Sequence, residues 1–370
     1  MSRLVNGVKS FSTAASSLLA DASAAVTRSA RQPSSFQVFR DVPELRQLRR
    51  KLIRNDRTMG FVPTMGALHE GHLSLIREAA RENTDVFVSI YVNPTQFGVN
   101  EDLSSYPRTW DSDVEKLEKL NEELGSLGAG TGRITAIFAP TSKVMYPTLP
   151  PSSEINGHGS FVTITPLARK LEGVSRPVFF RGVATVCMKL FNATTPDRVY
   201  FGQKDVQQTV IIKRMVKDFL IDTEIRIVAT AREADGLALS SRNVYLGARR
   251  RAVGLTLYKA LSAAAEAYKA GKVSRDDILG AARGVAEQVL SEQQGLSPSE
   301  RALYEVDYIS LADPDSLEEL DLVDFHKGAV LSTAFKMAPL EETKAGEDCG
   351  LGDGKVPVRL IDNMILQPQA

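Results

Sequence analysis

The sequence predicts an α/β protein, a doubly wound parallel sheet followed by a smaller C-terminal α+β domain, on three observations. From residue 36 to about 230, short apolar runs alternate with amphipathic helical stretches, the pattern of a parallel sheet with helices on its faces. Val86–Val92 is apolar almost throughout, as a strand buried on both faces must be. Beyond residue 230, two helical stretches precede three strands with no helix between them, which places a domain boundary near 230.

Residues 1–35 are Ser- and Ala-rich, with Arg3, Lys9, Arg28 and Arg31 against the single acid Asp21. That composition suits a disordered tail or a mitochondrial transit peptide, and the segment is kept out of the fold. Thr58–Val62 is a predicted strand, Pro63–Leu68 a loop and Gly71–Arg81 a helix. Val183, Ala184, Val186, Cys187, Leu190 and Phe191 mark one apolar helical stripe. A strand over Arg198–Phe201, a helix over Val206–Phe219 and a strand over Glu224–Ala229 complete the domain of residues 36–230. In the domain of residues 231–370, helices are expected over 248–269 and 275–291, then strands over Tyr304–Leu311, Ala329–Phe335 and Val358–Leu366. Asn121–Arg133, Thr148–His158 and the Gly-rich, acidic segment 336–357 are expected to be surface insertions.

Composition narrows the function. The 370 residues carry 45 Lys+Arg against 45 Asp+Glu, so no cationic excess is available to displace counterions from a nucleic acid. No apolar run reaches the roughly 18 residues that span a bilayer. Cys187 and Cys349 alone cannot build a disulfide scaffold or a cysteine zinc site. Cys187 falls on the apolar stripe and is expected in the core rather than as a nucleophile.

Four stretches carry candidate chemistry. Pro63-Thr64-Met65-Gly66-Ala67-Leu68-His69-Glu70-Gly71-His72 lies at a strand-to-helix turn. A helix N-terminus there offers N–H groups and partial positive charge to a phosphate, and two imidazoles add donors. The same pair could serve as metal ligands, although the zinc-protease spacing is i, i+4, or as ordinary surface histidines. Gly202-Gln203-Lys204-Asp205 opens a second helix after a strand, with Gln208 one turn beyond Lys204 on the same face. A lysine there suits a phosphate, and the alternative is a plain capped helix. Arg232 to Asn243 places Ser240, Ser241 and Arg242 in a polar loop at the domain boundary, a closing phosphate loop or a solvated linker. Asn93-Pro94-Thr95-Gln96-Phe97 follows the strand at 86–92, where the Gln96 amide could hold a small substrate or merely end a strand. Gly128-Ala129-Gly130-Thr131-Gly132 imitates a dinucleotide loop but follows a charged helix, not a strand.

Taken in order, P-T-M-G-A-L-H-E-G-H, N-P-T-Q-F, R-P-x-x-F-R-G-V, P-D-R-V-Y-F-G-Q-K-D-x-Q-Q and A-D-G-L-A-L-S-S-R-N closely resemble the pantoate–β-alanine ligase family, over residues 36–335 and again at Val358–Asn363. The resemblance implies a Rossmann-like ATP- and pantoate-binding domain of the HIGH-motif nucleotidyltransferase type, a C-terminal lid domain, a homodimer and a cytoplasmic enzyme. The strand at 86–92 is a candidate edge for that dimer. It implies ATP as co-substrate with Mg²⁺ on its phosphates, no protein metal centre, and no nucleic-acid or membrane partner. The family's reaction joins (R)-pantoate to ATP as pantoyl adenylate, releasing pyrophosphate, and then transfers the pantoyl group to β-alanine, releasing AMP.

Carried over residue by residue, Met65, Gly66, Ala67, Leu68, His69, Glu70, Gly71 and His72 would form the nucleotide loop, with His69 and His72 on the departing pyrophosphate and His72 the proton donor. Gly202, Gln203, Lys204 and Asp205 would line the nucleotide, with Lys204 on the α-phosphate and the Gln203 side chain facing away. Ala231 would lie beside adenine, and Leu239, Ser240, Ser241 and Arg242 would form the mobile phosphate loop. Gln96 and Gln208 would hold pantoate, Gln96 also meeting β-alanine. The N-terminal extension and the insertion 336–357, absent from compact bacterial members, point to a eukaryotic, fungal member. The alternatives are another HIGH-motif nucleotidyltransferase, or a nucleotide-binding protein with a decayed site, which intact His72, Lys204 and Arg242 argue against.

Overall fold

The apolar runs become interior strands because only a sheet covered on both faces can bury them. A computed structural model of the protein describes residues 35–98, 103–104, 106–128 and 130–369, all within the compact unit Ser35–Ala370; the N-terminal extension read from the sequence lies outside them save for Ser35. The chain runs β1 (Gln37–Phe39), α1 (Val42–Arg54), β2 (Met59–Thr64), α2 (Glu70–Glu82), β3 (Asp85–Ile90), α3 (Trp110–Ser126), β4 (Arg133–Phe138) and α4 (Ser142–Met145). It continues through α5 (Glu172–Ser175), α6 (Phe179–Thr194), β5 (Arg198–Gly202), α7 (Val206–Asp218) and β6 (Glu224–Val228). The remainder is α8 (Gly247–Gly254), α9 (Thr256–Lys269), α10 (Arg275–Gln294), β7 (Tyr304–Ala312), β8 (Ala329–Met337) and β9 (Val358–Leu366).

Among the described residues, β1 to β6 form one parallel sheet in the order β1-β4-β3-β2-β5-β6. Side chains alternate across it: Phe87 of β3 joins a core with α1, α6 and α7, while Val86 and Val88 join another with α2 and α3. The chain winds outward one way from β2 to β3 and the other way from β5 to β6. The carboxyl ends of β2 and β5 therefore flank the switch point, where such sheets bind ligands. The antiparallel sheet β7-β8-β9 is covered by α9 and α10.

Several boundaries differ from the sequence expectations. Pro63 and Thr64 belong to β2, since parallel pairing runs on to Ser89 and Ile90. The insertion expected from Asn121 begins instead beyond α3. Asn121 is 1% exposed and pairs with both backbone groups of Ile134, so the last helical turns lock onto β4. The helix expected over 248–269 is two, α8 and α9, parted at Leu255. Strand β3 is paired on both sides, which leaves no free edge near Val86–Val92. In the segment 336–357, Lys336 and Met337 extend β8, while the rest is mostly exposed, with its Val356 and Cys349 carbonyls accepting from the buried Arg250 guanidinium, which also donates to the Leu246 carbonyl. Among the described residues no helix is long and apolar enough to cross a membrane.

Candidate active site

At the end of β2 the chain turns into α2, and the two histidines build the turn. His69 is the N-cap: its Nδ1 accepts from the Gly71 N–H at 3.1 Å, and His72 Nδ1 faces the His69 N–H at 3.4 Å. The ring centroids lie 4.1 Å apart. A side chain at Gly71 would run into the His69 ring at 2.8 Å, so this glycine makes room for the cap itself. With each Nδ1 accepting, the proton of each neutral ring is assigned to Nε2. The backbone N–H groups expected to bind phosphate are thus partly consumed: Gly71 by His69, and Ala67 and Leu68 by the buried Asp113 carboxylate of α3, at 2.9 and 2.7 Å. The loop offers imidazole N–H groups in their place.

Burial, then the cations Lys204 and Lys116, lower the His69 pKa to about 4. Burial, then His69, Lys204 and Lys116, lower that of His72 to about 3. Both rings are therefore neutral at pH 7. Lys116 reaches the loop by donating to the Leu68 carbonyl at 2.6 Å.

At the end of β5, the turn Gln203–Asp205 presents Lys204, whose Nζ sits 3.3 Å from Asp205. Beyond β3, Asn93 is buried and sets the orientation of Gln96: its Nδ2 donates to Gln96 Oε1 at 3.1 Å and to the Gly182 carbonyl at 3.2 Å. A side chain at Gly182 would sit 2.3 Å from the Thr95 carbonyl, so only glycine lets α6 come this close. Held through its oxygen, Gln96 keeps its own amide N–H donors for a carboxylate or hydroxyl.

These elements meet around one cavity of about 230 Å³. Met65, His69, Gly71 and His72 line it with Gln96 and Gln208; Gly202, Lys204 and Asp205 form its floor, and Ala231 with Leu239–Arg242 closes another side. Five expected residues lie elsewhere. Gly66 and Ala67 are turned onto Asp113, Leu68 is buried in the core, Glu70 pairs with Arg77, and the side chain of Gln203, expected to face away, donates to Asn363. Sequence reasoning missed Thr64, Tyr91, Arg176 and Phe179 on the cavity wall. Arg176 opens the R-P-x-x-F-R-G-V stretch, which signals it, whereas Phe179 occupies one of its unspecified positions; Asp113 carries no signal beyond a charge on a charged helix. Cys187 also borders the cavity, but burial pushes its thiol up to about 12, so it stays protonated and inert. A second cavity of about 590 Å³ shares Lys204, Asp205, Ser240 and Arg242 and runs on to β9.

Residues 37–365 match the family described as pantoate-beta-alanine ligase. A pantothenate synthetase of Roseiflexus castenholzii is 43% identical over 84% of this chain and 92% of its own length. The pantoate--beta-alanine ligase of Saccharomyces cerevisiae is 37% identical over 90% of this chain and all of its own. The crystal structure of a Thermus thermophilus pantothenate synthetase superposes with a TM-score of 0.71 at 35% identity, covering 90% of this chain and 99% of that one. That of a Francisella tularensis pantoate-beta-alanine ligase, complexed with beta-gamma ATP and beta-alanine, gives 0.62 at 30% identity, covering 90% and 98%.

Proposed function

The chain belongs to the pantoate–β-alanine ligase family, and on that premise we propose how its cleft performs the reaction. The protein is an ATP-dependent acid–amine ligase that condenses pantoate with β-alanine through pantoyl adenylate, giving pantothenate, AMP and pyrophosphate. The observation that carries the assignment of roles is the convergence of His69, His72, Lys204, Gln96 and Gln208 on one cavity at the switch point of the sheet.

Gln96 and Gln208 hold pantoate from opposite sides, and Val183, Val186 and Leu190 give its dimethyl carbon an apolar wall. The pantoate carboxylate attacks the α-phosphorus of ATP, and the bond to the β-phosphate oxygen breaks. Lys204 neutralises charge that grows on the α-phosphate, and the two Nε2–H groups, Ser240, Ser241 and Arg242 receive the pyrophosphate. Arriving ATP, as a polyanion, raises both imidazole pKa values, the direction a proton donor at His72 requires. The β-alanine amine then attacks the acyl carbon, and AMP departs. No enzyme nucleophile takes part; the gain is positioning and charge stabilisation.

Among the described residues no group of three or more His, Cys, Asp or Glu could hold a metal. The donor set fits Mg²⁺ carried mainly by ATP phosphates and water, with Asp205 beside it, and bound there it would supply charge neutralisation. We propose a homodimer in the cytoplasm; sedimentation and a fluorescent fusion of residues 1–35 test those two points. The reaction is tested with purified protein, ATP, pantoate and β-alanine. AMP and pantothenate should accumulate together. AMP forming equally well without pantoate overturns the assignment.

A further inference from the structure

Asn363 belongs to the C-terminal sheet, yet its side chain serves the turn that carries Lys204. It is 1% exposed on β9. Its Nδ2 donates to the backbone carbonyls of Gln203 and Lys204, both at 2.8 Å, and its Oδ1 accepts from Gln203 Nε2 at 3.2 Å. The preceding residue holds the opposite wall. Asp362 is 4% exposed and takes Arg232 in a two-pronged pair at 2.6 and 2.8 Å. Arg232 also donates to the Gly236 carbonyl at 3.0 Å, and Leu239 N–H donates to the Ala231 carbonyl at 2.9 Å. Those bonds close the base of the hairpin that leads into Ser240–Arg242.

One dipeptide of β9 therefore grips two separate pieces of the cleft. Lysine is a flexible four-carbon stem, so the placement of its backbone, and of Asp205 on the same turn, sets where the amine can reach. We propose that Asn363 is a positioning residue for Lys204, and that with Asp362 it sets the spacing between the lysine turn and the phosphate loop. This rests on the reading that Lys204 acts on the α-phosphate. A rotation of the 203–205 turn would displace Nζ from the site where charge develops, and misplacement by about 1 Å costs on the order of 100-fold in rate.

The test is single-turnover formation of pantoyl adenylate, read as pyrophosphate release, alongside ATP affinity measured without pantoate. Asn363→Ala removes both donations; Asn363→Asp keeps the volume but turns an acceptor toward the two carbonyls. Adenylation should fall about 10- to 100-fold in both, while ATP affinity stays within about threefold, because a transition-state contact is lost rather than ground-state binding. In Lys204→Ala, adding Asn363→Ala should slow adenylation by no more than about threefold, since residues acting through one group do not add. Losses that multiply, wild-type adenylation in both Asn363 variants, or failure of both to melt cooperatively overturn the proposal in favour of a purely structural role. Wild-type adenylation in Lys204→Ala alone instead removes the reading of Lys204 itself.

Discussion

The two walls of the cleft are built on opposite principles. The β2–α2 wall builds its histidine turn within a few residues, His69 capping its own helix and His72 closing the cap from one turn away, with long-range support from α3 confined to the loop before it. The β5 and phosphate-loop wall depends on partners far along the chain, with Asn363 some 160 residues from Gln203 and Asp362 130 from Arg232. A wall closed on itself has one arrangement and suits groups that must be rigid and neutral before ATP arrives. A wall hung on the C-terminal sheet is placed by that sheet, which suits the closing phosphate loop we propose.

The sharpest way to break this comparison is to remove the group we propose each wall contributes to the reacting phosphates. His72→Ala and Lys204→Ala should each lower kcat by two or more decades, the order expected when a donor to developing charge is lost. Steady-state AMP production checks both. Near-wild-type turnover in either variant would take its wall out of the chemistry.

A smaller effect is expected from the support of the local wall. Asp113→Ala would leave the Ala67 and Leu68 N–H groups without their acceptor. Each buried donor so stranded costs about 1–3 kcal/mol, so the melting temperature should fall clearly. The loop should also lose its register, lowering kcat by on the order of tenfold. A variant that melts like wild type would show that water or another group takes over the two amides.

The same contrast explains what was legible in the sequence. The parallel sheet, the helix stripe of α6 and the strands β7–β9 follow from apolar periodicity, which is local. The histidine turn, Lys204 with Gln208, and Gln96 were visible because their residue types sit at strand ends within a few positions of each other. The use of the loop amides was not, because Asp113 lies 45 residues away on a helix whose charge looks like a solvated face. Strand β4 was hidden for a related reason: its N-terminal boundary is fixed by the Asn121 side chain reaching back from α3, a tertiary contact with no sequence period. The Gln203 side chain was expected to face away from the nucleotide, but what it faces, Asn363, is a partner visible only once β9 is in place.

The smallest expected effect separates the walls by pH. In the folded, unliganded chain His69 and His72 titrate near 4 and 3, against about 6.5 in an unfolded chain. Between pH 6.5 and 4 the unfolded state binds protons that the folded state excludes, so stability rises with pH across this window. The contribution is complete above pH 6.5 and is lost as the pH falls toward the folded values. Wild-type protein should therefore melt lower at pH 5 than at pH 7, and His69→Asn with His72→Asn should reduce that difference. Saturating ATP should reduce it too, because the bound polyanion favours the imidazolium form and raises the folded pKa values. Equal pH slopes in the wild type and the double variant would mean that the two rings titrate normally, and that the local wall is not held neutral by its own burial.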